Sequence, residues 1–178
     1  MTFLEIRPAC AADINSIAEI EGDADQRFAD SAHPELAIGG TIPREVFEKA
    51  IARRRLVVAT EDGVVQGWVL TVRSDGELCI GQISVRRSAG RRGVGTRLLH
   101  YVITAARARG EASIVLNTQR DVPWNQPWYE RHGFVVVAPA EWTDDMHTIV
   151  REQTQAGLDW STRVHMRLVL AEDDAPAT

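Results

Sequence analysis

Three strand-like runs joined by tight turns lead straight into a glycine- and arginine-rich turn and an amphipathic helix, and this feature most limits how the chain can fold. Residues 56–60 and 64–72 flank Asp62-Gly63, a two-residue turn suited to a hairpin. A second turn, Ser74-Asp75-Gly76, leads into a third run at 77–85. Strands joined this closely pair with their sequence neighbours, so an antiparallel meander is expected. Beyond the glycine-rich turn, Val94, Leu98, Leu99, Val102, Ile103 and Ala106 recur at helical spacing until Gly110.

The flanking segments extend this core. Residues 3–7 alternate apolar and polar side chains and stop at Pro8, as a short strand does. Asp13 stands where it can cap a helix whose apolar face carries Ile14, Ile17, Ala18 and Ile20. Residues 22–41 are charge-rich and contain Pro34 and Gly39-Gly40, which reads as a loop with one short helix. Pro43, at a first helical position, opens a second helix with Val46, Phe47, Ala50 and Ile51, ending in Arg53-Arg54-Arg55. Farther on, strands are expected at 113–117, 134–137 and 163–170, with a short helix at 123–132 closed by Gly133 and another helix at 144–155. The order is that of a mixed α+β sheet. Residues 1–170 are read as one domain, and 171–178 as an acidic, disordered tail.

With 178 residues the chain can bury roughly 70% of its unfolded surface in a single core, without disulfide or metal. A net charge of −5 argues against nucleic acid or membrane partners. Cys10 and Cys79 lack metal spacing and read as plain thiols. Neither a leader nor an apolar stretch of about 18 residues is seen, so a cytoplasmic location is expected by default.

Residues 82–99 carry the chemistry, as strand, turn and helix in succession. Glycines at 90, 93 and 95 let backbone N–H groups approach an anion, and the helix N-terminus adds about half a positive charge. Arg91 and Arg92 can supply charge-assisted hydrogen bonds, and Thr96 a hydroxyl. A pyrophosphate suits such a turn. A Walker turn is excluded by the lack of Gly-Lys-Ser/Thr, and a dinucleotide fingerprint by the antiparallel setting of the preceding strand.

Gly93-Val94-Gly95 resembles the latter half of the Gln/Arg-x-x-Gly-x-Gly/Ala loop of the GNAT superfamily of N-acetyltransferases, and the likeness extends over nearly the whole chain. Gly90 departs from it, standing where that loop has Gln or Arg. The resemblance implies a three-layer fold, a mostly antiparallel mixed sheet flanked by helices, and acetyl-CoA as co-substrate. It implies that Arg91, Arg92, Gly93, Val94, Gly95 and Thr96 hold the pyrophosphate, and that Ile83, Ser84 and Val85 offer backbone partners to the pantetheine arm. A strand N–H there would polarise the thioester carbonyl. Tyr129-x-x-x-Gly133-Phe134 is similar to the family's second signature, which makes Tyr129 the general acid for the leaving thiolate; the alternative is a core tyrosine with a satisfied hydroxyl. Asn125 either caps the following helix or contacts the cofactor.

No base is assigned. Gln82 occupies a position where many relatives carry Glu, and it can orient water or substrate or simply sit in the sheet. Glu21, Asp23, Asp25 and Asp30 lie in the segment that borders the acceptor site in such proteins, and each alone reads as a solvated surface charge. His132 reads as a helix-end residue. Trp124, Trp128, Trp142 and Trp160 either line an acceptor pocket or pack in the core. The expected activity is acetyl transfer to a primary amine by direct attack in a ternary complex, on a small-molecule acceptor, with no metal and with a homodimer allowed. Its rivals are a catalytically inactive acetyl-CoA-binding regulatory module and a transferase of longer acyl groups.

Overall fold

The computed structural model describes residues 3–38 and 40–170, so Gly39 and the acidic tail at 171–178 lie outside the described residues. Strand β1 (Leu4–Pro8) leads through one 3-10 turn, Ala11–Asp13, into helix α1 (Ile14–Asp25). Ile14, Ile17 and Ile20 are buried on its inner face, as their spacing predicts. Asp13 directly precedes α1, but its carboxylate does not cap it. It turns back to accept from the Cys10 N–H at 2.8 Å and from both terminal nitrogens of Arg7 at 2.8 and 2.9 Å. The Arg7 hydrogen bond is the main reason that the Asp13 carboxyl is held down at about 2.

Where the sequence suggests a loop, the chain is largely helical. Helix α1 runs on through Gly22 to Asp25, and two 3-10 segments follow, Gln26–Asp30 and Pro34–Ile38. Gln26 Nε2 donates to the Ala37 carbonyl at 2.9 Å and ties the two together. Helix α2 (Arg44–Ala52) starts one residue later than expected, with Pro43 in the capping position and extended. Phe47 and Ala50 are buried, whereas Val46 faces solvent.

Strands β2 (Leu56–Glu61), β3 (Val64–Ser74) and β4 (Glu77–Val85) follow. Both connecting pairs have two left-handed residues, Asp62 and Gly63 at φ 50° and 80°, and Asp75 and Gly76 at 47° and 79°. That conformation belongs to the tightest hairpin turns, whose twist matches that of the strands. Helix α3 (Val94–Ala108) buries all six apolar positions that its sequence period marks.

Strand β5 (Ser113–Gln119), helix α4 (Gln126–Glu130), strand β6 (Val135–Val136), helix α5 (Asp144–Gln155) and strand β7 (Arg163–Val169) complete the fold. The short helix and β6 are briefer than the sequence suggests. Pro123 and Pro127 each remove a backbone donor, and β6 pairs only through Val135 and Val136 at the sheet edge. The seven strands form one sheet in the order β1-β2-β3-β4-β5-β7-β6. Strands β4 and β5 run parallel, while β1–β2, β2–β3, β5–β7 and β6–β7 are antiparallel. This is the expected mixed sheet flanked by helices.

The chain forms two units, Met1–Thr71 with Ile80–Ile103, and Val72–Cys79 with Thr104–Thr178. The first is built on Ile14, Ile17, Ile20, Phe47, Leu56, Val58, Val65, Trp68 and Leu70. In the second, Cys79, Val115, Val137 and Met146 pack together with Trp142 against them. Both cysteines are free, and burial pushes the Cys79 thiol up to about 12, so it stays protonated.

Candidate active site

In the first unit, β4 passes through a single 3-10 turn, Arg87–Ala89, into the loop that opens α3. Gly90 is extended with φ −60°, while Arg91 and Gly93 are left-handed at φ 59° and 82°. Alternation of this kind turns successive N–H groups towards one concavity, a known way for backbone to bind anions. Helix α3 adds to it. Its first ladder bond is donated by the Arg97 N–H to the Gly93 carbonyl at 3.0 Å. The N–H groups of Val94, Gly95 and Thr96 precede that bond and have no intrahelical acceptor.

The arginines around the turn divide into those that anchor it and one that does not. Arg86 pairs with Glu19 at 2.7 Å, and Arg87 donates to Asp23 from its backbone at 2.6 Å and from Nε at 2.9 Å. Arg92, expected to face a phosphate, is bonded to Glu61 at 2.6 Å. Among the described residues Arg91 pairs with no carboxylate. It stands close enough to Arg27 that, after burial, its charge contributes to lowering the Arg27 pKa. A concavity of backbone donors beside two repelling guanidiniums favours an anion.

The approach of β3 to this turn depends on one missing side chain. A Cβ on Gly67 would lie 2.9 Å from the Ser84 carbonyl oxygen, 3.1 Å from Val94 Cγ1 and 3.2 Å from Val85 Cγ2. Gly67→Ala is therefore expected to destabilise the fold by about 1–3 kcal/mol and to displace the start of α3. Urea unfolding checks the first effect; an unchanged midpoint would show that β4 yields freely.

Along β4, Gln82 and Ser84 share one face and Ile83 and Val85 the other. Ser84 is buried, and its Oγ accepts from Gln82 Nε2 at 3.0 Å. The same amide donates to Glu21 Oε1 at 3.4 Å, and the Ile42 N–H donates to Glu21 Oε2 at 3.1 Å. Glu21 is only 2% exposed, so it is not the solvated charge that its type suggests. Its position carried a readable signal: it follows Ile14 by seven residues and Ile17 by four, on the apolar stripe of α1. Burial raises its pKa first, and the charge of Asp25 adds to this. Asp25 is half-buried and raised by burial, Asp23 is committed to Arg87, and Asp30 is exposed.

In the second unit, Asn125 stands in the N-cap position of α4 and its carbonyl accepts from the N–H groups of Trp128 at 2.9 Å and Tyr129 at 3.0 Å, but its side chain makes no capping bond. The Tyr129 ring is 8% exposed, held edge-on by Trp128 at 4.8 Å and Phe134 at 5.4 Å. Among the described residues no hydrogen bond of its hydroxyl is found. Burial raises the phenol above its ordinary value, with Cys79 adding to the effect, so Tyr129 keeps its proton. His132 Nδ1 lies 2.8 Å from the Trp128 carbonyl at the helix end. Trp142 and Trp160 meet edge to face at 5.9 Å and both pack on His165, whose pKa burial lowers to about 4. These two tryptophans therefore serve packing within their unit. Among the described residues no group of His, Cys, Asp and Glu could hold a metal ion, and no helix is long and apolar enough to cross a membrane.

The sequence profile of the Acetyltransferase (GNAT) family matches residues 19–134, from α1 through the arginine turn to Phe134. The chain belongs to the GNAT acetyltransferase family. Solved GNAT structures share its fold. PaiA N-acetyltransferase from Thermoplasma acidophilum, crystallised with coenzyme A, superposes with a TM-score of 0.71 at 15% identity, covering 94% of this chain and 99% of that one. Ard1 from Thermoplasma volcanium gives 0.66 at 19% identity over 95% and 99%. The ribosomal-protein-S18-alanine N-acetyltransferase from Escherichia coli gives 0.65 at 17% identity over 97% and 99%.

Proposed function

We propose that this GNAT protein transfers the acetyl group of acetyl-CoA to a primary amine by direct attack in a ternary complex. The observation that carries this reading is the donor set of the turn. The N–H groups of Val94, Gly95 and Thr96, with Arg91, which meets no carboxylate among the described residues, form a ready site for a pyrophosphate. Coenzyme A has that group, and the PaiA protein of similar fold was crystallised with it. Gly93 lets the backbone come close, and Arg92 stays on Glu61 to hold the turn. Ile83, Ser84 and Val85 would offer backbone partners to the pantetheine arm, and an N–H of this strand would stabilise the oxyanion. Asn125, whose side chain makes no capping bond, is a cofactor contact in this scheme. Tyr129, which burial keeps protonated, gives its proton to the departing thiolate.

Holding both reactants together contributes several kcal/mol, up to roughly 7–11, without any covalent intermediate on the enzyme. Calorimetric titration with acetyl-CoA, CoA and dephospho-CoA tests the cofactor site. One site of about micromolar affinity is expected for acetyl-CoA and CoA. A folded sample that binds none of the three would remove the proposal.

A further inference from the structure

Among the described residues no cation neutralises Glu21. Its carboxylate is buried between α1, β4 and residue 42, and among the described residues it accepts from the Gln82 amide and the Ile42 N–H. No Lys, Arg or His within ion-pair distance offsets the charge among the described residues. Burying an unpaired carboxylate is costly, by several kcal/mol after relaxation. A glutamine in its place would accept the same Ile42 N–H without that cost. The fold therefore needs an acceptor at this point, and something other than the fold needs the acid.

We infer that Glu21 is the general base of the transfer reaction, taking a proton from the acceptor's ammonium through one water. This rests on the transferase reading above. Glu21 is linked through one amide to the strand that carries Ile83 to Val85, the segment assigned to the thioester arm. Each of its oxygens accepts one bond here, and a carboxylate oxygen has room for two. In the step, R–NH3+ gives a proton to the Glu21 carboxylate and becomes R–NH2. The amine nitrogen bonds to the thioester carbon, the carbon–sulfur bond breaks, and the thiolate takes the Tyr129 proton. The nitrogen's surplus proton restores Tyr129, and Glu21 releases its own to solvent. The net change is R–NH3+ and acetyl-CoA to the amide, CoA and one proton.

The raised pKa of Glu21 suits this role, since a stronger base accepts the proton more readily. The ionisable neighbour that acts on it is Asp25 on the same helix, while β4 presents the neutral Gln82 and Ser84 and residue 42 presents a backbone N–H.

The test measures CoA release by the wild-type protein and Glu21→Gln, with benzylamine, spermidine and lysine amide as probe acceptors, from about pH 6 to pH 10. Near neutrality Glu21→Gln is expected to lose roughly 10²-fold or more in kcat/KM, with acetyl-CoA affinity unchanged. The deficit should shrink as pH approaches the acceptor's own pKa and free amine appears. The variant should be at least as resistant to urea as the wild type, an outcome that a structural role for the charge forbids. The exchange Glu21→Gln with Gln82→Glu keeps one acid and one amide in contact, and should recover part of the lost rate even if the single variant folds poorly. An active wild type with Glu21→Gln equally active across the pH range overturns the assignment of the base alone. A wild type that binds acetyl-CoA but acetylates none of the probes overturns the transferase reading and this inference with it.

Discussion

Replacing Tyr129 by phenylalanine is expected to lower kcat by roughly 10²- to 10⁴-fold while leaving acetyl-CoA affinity and stability nearly unchanged. The size of the effect follows from what the substitution removes. The ring is held by Trp128 and Phe134, and phenylalanine keeps both contacts. Only the hydroxyl is lost, and no hydrogen bond of it is found among the described residues. A core tyrosine with a satisfied hydroxyl would behave in the opposite way, losing stability when its partner was left unpaired. Kinetics of CoA release and urea unfolding of the same variant separate the two. An unchanged kcat would end the assignment of Tyr129 as the acid. The direction of its pKa shift adds a second check: a phenol raised by burial stays protonated throughout the working range, so no limb of the pH profile should belong to it.

The largest effect on stability is expected from Trp68→Ala, about 3–5 kcal/mol. Trp68 is fully buried in the first unit, meets Phe47 edge to face at 5.6 Å, and donates from Nε1 to the Ile17 carbonyl at 3.0 Å. Truncation would empty a large space between α1, α2 and the strands, and would remove a bond that steadies α1 one turn before Glu21. Denaturant unfolding should show the loss as a lower midpoint with little change in slope. A loss below about 1 kcal/mol would mean that the surrounding side chains collapse into the gap, as some sites can. Trp68→Phe should cost less, because the ring contact survives and only the hydrogen bond goes.

The two predictions differ in how far the sequence foresaw them. Tyr129 stood out from sequence because its spacing to Gly133-Phe134 is local. Trp68 did not, since nothing nearby in the chain distinguishes it from the half-exposed tryptophans; its partners Ile17 and Phe47 come from other elements. Glu21 is intermediate. Its place on the apolar stripe is legible, but a carboxylate ordinarily argues for solvent. Only the packing of α1 against β4 shows that the acid faces the Gln82 amide.

What the sequence by itself determined is local in origin. The aspartate–glycine turns were readable because left-handed backbone at two successive positions favours those residue types. The six apolar positions of α3 were readable because helical period and burial coincide there. The strand–turn–helix that ends in Gly93-Val94-Gly95 was readable for both reasons together, and with it the family. The tertiary structure alone decided what depends on partners distant in sequence. Residues 26–30 and 34–38 form 3-10 turns that the Gln26 side chain and the Ala37 carbonyl tie together, although their composition favours a loop. Arg92 faces Glu61 while Arg91 meets no carboxylate among the described residues, although the two neighbours look alike in sequence. A charge's partner is set by where other elements bring their own charges, and no local pattern encodes that distance.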